Sequence, residues 1–239
     1  MTIPDVSIVI PTYNEKDALP ALTEKVFAAL EKSQVSGELV VVDDNSPDGT
    51  GQVAEGLRGR FQIKVVHRAG KLGLASAVIE GFSAATSPIV GIMDADGSHD
   101  AAILPQMVEV VRSGRAELAV GSRYVPGGGT ADWPWFRLFG SRVASAIGHL
   151  VSPIRDATSG YCVFQRAILD GVQLNPVGFK ILLEIAVRGK FTKFVEVPYV
   201  FRDREAGKSK FGKKEIINYF KHIWILWPYR KQGLAKRPA

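Results

Sequence analysis

The chain has 239 residues, 46% hydrophobic and 23% charged, which excludes a disordered polymer and supplies a sizeable core. Its single cysteine, Cys162, excludes an internal disulfide, and no apolar run reaches the roughly 18 residues of a transmembrane helix. The net charge of +6 is local: nine Lys and Arg against one acid, Glu215, lie between Lys208 and Ala239, so the remainder sums to about −2.

In chain order, the β-branched run Val6 to Ile10 predicts a buried strand, and Leu19, Leu22, Val26 and Leu30 predict a helix over Ala18 to Lys32. A strand at Glu38 to Val42 ends in the turn-rich stretch Asp43 to Gly49, followed by a short helix from Thr50 to Arg58. Then come a strand at Ile63–Val66, a helix at Leu74–Ala85, a strand at Ile89–Met93, a helix at Ile103–Arg112 and a strand at Leu118–Gly121. This alternation predicts an α/β fold with a mostly parallel sheet flanked by helices. After Arg123 the pattern changes. Gly127–Gly129 and Trp133-Pro134-Trp135 read as loop, Phe136–Val151 as an amphipathic helix, Arg188–Tyr199 as strand, and Ile216–Trp227 as an apolar, aromatic helix. No linker or repeat divides the chain, which reads as one domain over residues 1–239.

In open parallel sheets, ligands bind beyond the carboxyl ends of the strands. Three such ends carry acidic or polar turns: Pro11-Thr12-Tyr13-Asn14-Glu15, Asp43-Asp44-Asn45-Ser46-Pro47-Asp48-Gly49 and Asp94-Ala95-Asp96-Gly97-Ser98. Two carboxylates one residue apart repel each other unless a cation lies between them. Mg²⁺ and Mn²⁺ take one or two carboxylates plus substrate phosphates, so Asp94 and Asp96 suggest a metal–diphosphate site. The bland alternative is a solvated turn or a helix cap.

Taken in order, these motifs, with Lys71-Leu72-Gly73-Leu74, Gly121-Ser122-Arg123-Tyr124, Asp156-Ala157-Thr158-Ser159-Gly160 and Asp203 through Lys210, resemble the family 2 glycosyltransferases of GT-A (Rossmann-like) fold. Within these they are most similar to the polyprenyl-phosphate (dolichyl-phosphate) mannose synthases. The resemblance implies a nucleotide-sugar-binding half at residues 1–125, an acceptor half at 126–211, and an amphipathic helix with a basic tail at 212–239. It implies a nucleoside pocket of Pro11, Tyr13, Glu15, Val42 and Asp44, and metal ligands Asp94 and Asp96 with Ala95 beside the donor. Arg123, Arg204 and Lys210 are implied phosphate contacts, Arg137 and Ser141 the acceptor-phosphate positions, and Asp96 and Arg123 the catalytic pair. Two departures stand out. Gly97 follows the Asp-x-Asp where the family often has an apolar residue, and Ser98 stands where some members carry a metal-ligating Gln.

The implied reaction is inverting, Mg²⁺- or Mn²⁺-dependent transfer of mannose from GDP-mannose to the phosphate of a polyprenyl phosphate. A phosphomonoester has a second pKa of about 6, so this nucleophile is already ionised and needs no strong general base. A sugar hydroxyl acceptor would need one, and Asp100 or Glu184 keeps that alternative open. So do another donor, such as UDP-glucose, and a non-catalytic nucleotide-sugar-binding subunit on the same fold.

A lipid acceptor requires membrane contact. Trp133–Leu150 and Ile216–Trp227 both combine apolar and aromatic residues with basic neighbours, as interfacial helices do, although core helices on the sheet can read the same way. The basic tail suits anionic lipid. The expectation is a cytoplasmic protein held peripherally on the cytosolic face of a membrane, by surface binding or a separate membrane subunit, with no nucleic-acid partner. The N-terminus, Met1 to Val6, lacks the basic and apolar regions of a signal peptide. His67, His99, His149 and His222 share no zinc-ligand spacing, and Cys162 reads as a small buried hydrophobe.

Overall fold

The computed structural model describes residues 3–131, 133–175, 180–203 and 213–236, with side chains of residues 213–216 left aside. The elements are β1 (Val6–Thr12), α1 (Leu19–Lys32), β2 (Gly37–Asp43), α2 (Thr50–Leu57), β3 (Ile63–His67), α3 (Leu74–Ala84), β4 (Ile89–Ile92), α4 (Leu104–Arg112) and β5 (Leu118–Ser122). They continue through β6 (Gly129–Thr130), α5 (Trp135–His149), β7 (Cys162–Gln165), α6 (Ile181–Arg188), β8 (Phe194–Pro198), β9 (Val200–Phe201), α7 (Lys213–Leu226) and α8 (Arg230–Leu234).

Seven strands form one sheet in the order β3-β2-β1-β4-β7-β5-β8, parallel except for β7, which runs antiparallel to both β4 and β5. Alternate residues of β1 serve opposite faces. Val6, Ile8 and Ile10 join the layer that includes Leu19, Leu22 and Val26 of α1 and Leu104 and Met107 of α4. Val9 joins the other layer, with Val78 and Phe82 of α3, Leu182 and Ile185 of α6, and Tyr219, Ile223 and Leu226 of α7. Burial on both faces is why β1 and β2 read as continuous β-branched runs. Helix α3 sits close on β1, where a Cβ added at Gly81 would stand 2.4 Å from Val9.

The alternating half of the chain follows its predicted pattern to within a residue or two at most ends. The second half departs from it. Strand β7 has only four residues, too few for one-residue-in-two periodicity to mark it in the sequence. Helix α6 was missed because every residue from Ile181 to Val187 is buried, which erases the amphipathic signal. Strand β8 begins at Phe194, so Arg188 ends a helix rather than opening a strand. The predicted loop over residues 127–135 contains β6, which pairs with β9. Cys162 is buried in β7. Among the described residues no helix is long and apolar enough to cross a membrane.

Candidate active site

Because β2, β1 and β4 are neighbours, their carboxyl ends bring the three polar turns into one crevice. Pro11 and Val42 pair across β1 and β2, and Asp43 and Asp44 follow one and two residues beyond. Asp43 and Asp48 serve the local turn. Asp43 accepts from Thr12 Oγ1 and from the Ser46 amide, while Asp48 accepts from the Thr50 amide at the start of α2. Asp44 is the acid that reaches across. Its Oδ1 meets Arg68 Nη1 in a buried ion pair, and its Oδ2 accepts the Gly73 N–H at 2.9 Å. Arg68 also binds Glu80 and Ser76. This buried arginine fixes the pocket wall and was absent from the sequence reading; its partner Asp44 lies 24 residues away, so no local spacing announces it. Tyr13 lies opposite, with Lys71 Nζ 3.9 Å above its ring, and the Glu15 amide donates to Thr50 Oγ1.

At the end of β4, Asp94 is half-buried while Ala95 and Asp96 are buried. Asp96 Oδ1 accepts the Ser98 amide at 3.0 Å, closing the turn over Gly97, whose φ of +75° explains glycine at that departure from the family pattern. His99 completes the turn: Asp94 N–H donates to its Nδ1 at 3.1 Å. That bond places the ring proton on Nε2, which lies 3.8 Å from Asp94 Oδ2. The ring stacks on Tyr161 at 4.9 Å. Burial pushes its pKa down against the opposing charges of Asp94 and Asp96, so the imidazole stays neutral at physiological pH. His99 was set aside in the sequence as no zinc ligand. Its position five residues after Asp94 was the available signal.

The loop at residues 156–160 packs against this turn, with Gly160 beside Asp94. Lys180 donates to the Thr158 carbonyl from the same side, and burial followed by the charge of Arg123 lowers its pKa to about 8. Arg123, expected as a phosphate contact, is buried and bound to Asp156 and Thr158. Arg137 is ion-paired to Asp203 at 2.7 Å and lies 4.1 Å from the Trp133 ring, and Ser141 accepts from the Tyr124 hydroxyl at 2.7 Å. Ring contacts run from His99 to Phe201 to Trp133, joining the Asp-x-Asp turn to the start of α5. Arg204 and Lys210 lie outside the described residues.

No three His, Cys, Asp or Glu side chains among the described residues converge as a metal cage. The donor set still fits Mg²⁺ or Mn²⁺, which need only one or two carboxylates when substrate phosphates complete the shell. The Ser98 hydroxyl is buried there with no hydrogen-bond partner among the described residues, a further oxygen at the same turn.

A mostly parallel sheet with an Asp-x-Asp turn at the end of a central strand is the architecture of a GT-A glycosyltransferase. The model of glycosyl transferase family 2 matches residues 7–172, and the chain belongs to that family. It is 41% identical over 225 residues to a dolichol-phosphate mannosyltransferase of Pyrococcus furiosus, covering 92% of this chain and 63% of that protein. It is 37% identical over 221 residues to a polyprenol monophosphomannose synthase of Mycolicibacterium smegmatis, covering 87% of this chain and 82% of that one. The chain thus spans less than two thirds of the Pyrococcus relative. Among solved structures, a mannosyltransferase of Pyrobaculum calidifontis in complex with GDP-Man and Mn²⁺ superposes with a TM-score of 0.61 at 18% identity, over 99% of this chain and 70% of that one. A glucosyl-3-phosphoglycerate synthase of Mycobacterium tuberculosis superposes at 0.66 and 19% identity, over 99% and 81%. These two likenesses concern the fold.

Proposed function

We propose that the chain transfers mannose from GDP-mannose, with inversion, to the phosphate of a polyprenyl (dolichyl) phosphate. The observation that carries this reading is a juxtaposition. The Asp94–Asp96 turn is linked through His99, Phe201 and Trp133 to a helix, α5, whose Trp135, Phe136, Phe139, Val143 and Leu150 stand exposed. An acidic crevice beside a helix with an exposed apolar face suits a polar donor and a lipid acceptor. Helix α7 adds Ile217, Phe220 and Trp224, with Trp227 and Tyr229 just beyond it. These surfaces support peripheral attachment, on the cytosolic face of a membrane, to the bilayer or to a membrane subunit. The names of the Pyrococcus and Mycolicibacterium relatives agree with a mannosyl donor and a polyprenyl acceptor.

Asp94 and Asp96 would hold Mg²⁺ or Mn²⁺, which supplies Lewis-acid neutralisation of the departing diphosphate. Pro11, Tyr13, Glu15, Val42 and Asp44 form the nucleoside wall, with Ala95 beside the sugar. Arg137 and Ser141, supported by Arg123, receive the acceptor phosphate; the phosphate competes with Asp203 for Arg137. The nucleophile arrives ionised, and catalysis is positioning plus electrostatics. The carboxylates suggested for a hydroxyl acceptor fit less well. Glu184 is fully buried against Arg188, and Asp100 Oδ1 accepts the Ala102 amide.

The test is transfer of radiolabelled mannose from GDP-mannose to a short-chain polyprenyl phosphate. Label in the lipid phase that disappears with EDTA and with Asp96→Ala is the expected result. Transfer from UDP-glucose instead, or turnover undiminished in Asp96→Ala, overturns the donor or the metal assignment.

A further inference from the structure

Helix α5 carries a second surface beside its apolar stripe. Arg142, Ser145, Ala146 and His149 recur at the three- and four-residue spacing of one helix side, and with Arg155 they line an open cavity of about 600 Å³. At 3.6 residues per turn, Arg142 and Ala146 lie next to Trp135, Phe139, Val143 and Leu150 around the helix. The cavity therefore opens along the edge of the exposed apolar face.

Its charge is one-sided. Arg123, at the inner wall, is neutralised by Asp156. The guanidinium groups of Arg142 and Arg155, both exposed, have no carboxylate partner among the described residues. Glu196 accepts the backbone amides of Arg155 and Asp156 with its two oxygens. His149 turns Nδ1 to the Ile154 carbonyl. Two arginines on one cavity without a carboxylate among the described residues favour an anion there, and a guanidinium fork matches paired phosphate oxygens. Arg123 and Tyr124, whose hydroxyl donates to Ser141, line one wall, so the cavity adjoins the acceptor-phosphate positions, while Arg142 and Arg155 are not among those positions.

We infer that this cavity is a head-group site for an anionic membrane lipid, with the lipid phosphate between Arg142 and Arg155 and its acyl chains along Val143 and Leu150. The inference rests on α5 facing the membrane, as proposed above, and its test uses no acceptor lipid or donor turnover, so the two readings fail separately.

The full chain is titrated with a short-chain, monomeric phosphatidylglycerol, and cosedimented with phosphatidylcholine vesicles with and without phosphatidylglycerol. The expected result is saturable binding of the soluble lipid and a preference for the anionic vesicles. Arg142→Ala/Arg155→Ala weakens both by about tenfold or more, while Arg230→Ala/Lys231→Ala, which removes equal charge elsewhere, leaves soluble-lipid binding intact. Ala146→Trp, which fills the cavity and keeps the charge, also abolishes soluble-lipid binding. Unchanged GDP affinity establishes that each variant is folded. Wild-type lipid binding by both cavity variants overturns the site. Equal binding of inorganic phosphate, abolished by the same variants, overturns the lipid assignment in favour of a free-phosphate site.

Discussion

Arg123 and Asp156 face each other in a two-bond ion pair, Nε to Oδ2 and Nη2 to Oδ1, both at 2.7 Å, and the Arg123 amide donates to the same carboxylate at 3.0 Å. The pair ties the end of β5 to the loop that packs beside Asp94. Burial pushes the Asp156 carboxyl up, but the hydrogen bonds and charge of Arg123 outweigh it and hold the pKa below its usual value. Arg123 thus shapes the site from within, in addition to any contact with phosphate.

Removing one partner strands the other charge in the interior. Arg123→Ala is expected to lower stability by about 3–5 kcal/mol. Because the folded Asp156 pKa is depressed, its contribution is present above the ordinary carboxylate pKa and is lost as pH falls through the lower folded value. Denaturant titrations from neutral to acid pH check this: the wild type loses stability at the acid end, and Asp156→Asn has a flatter acid limb from a lower starting point.

His99 orients Asp94 through the backbone bond to Nδ1. Where Asp94 holds the metal as proposed, replacing such a supporting partner typically costs about 10–100-fold in metal affinity. His99→Ala and His99→Phe are both expected to weaken Mn²⁺ binding by that range, measured calorimetrically with GDP present. His99→Phe keeps a ring to stack on Tyr161, so wild-type affinity in that variant would mean that stacking alone holds the turn.

The Ser98 hydroxyl is buried with no partner among the described residues, which costs about 1–3 kcal/mol for such a group. Ser98→Ala should raise metal-free stability by part of that amount and weaken Mn²⁺ binding. Thermal unfolding with and without Mn²⁺ separates the effects. A gain in stability with unchanged Mn²⁺ affinity would exclude the hydroxyl as a ligand.

Arg68 makes its contacts through a planar fork that an ammonium cannot copy, to Asp44, Glu80 and Ser76. If Asp44 belongs to the nucleoside wall, as proposed, Arg68→Lys is expected to raise the donor KM severalfold while leaving Mn²⁺ affinity near wild type, since Arg68 is bonded to Asp44 and to neither Asp94 nor Asp96. Steady-state kinetics at varied GDP-mannose reads the split.

Trp135 and Trp224 are each 79% exposed, so replacing them should change stability by no more than about 0.5 kcal/mol. Trp135→Ser/Trp224→Ser should nonetheless reduce partition onto vesicles and slow transfer to long-chain acceptors more than to short ones. Equal vesicle binding by the double variant removes the support for an interfacial face.

The candidate site is legible in the sequence where its chemistry is local. Asp94 and Asp96 are one residue apart after an apolar strand, and each polar turn follows a recognisable β-branched run. The structure aligns those turns because β2, β1 and β4 are adjacent. The rest was hidden where partners are distant in the chain or where burial is uniform. Nothing near Arg68 indicates Asp44, nothing near Arg123 indicates Asp156, and the fully buried residues of α6 carry no helical rhythm.

Residue order thus specifies the strand–helix alternation, the acidic turns and the apolar stripes, because periodicity and turn chemistry act over a few residues. The fold assigns each charged group its partner. It commits Arg123 to Asp156 and Arg68 to Asp44, and among the described residues it gives Arg142 and Arg155 no carboxylate. Ion pairing and desolvation depend on distances of a few ångströms between segments that the chain itself keeps far apart.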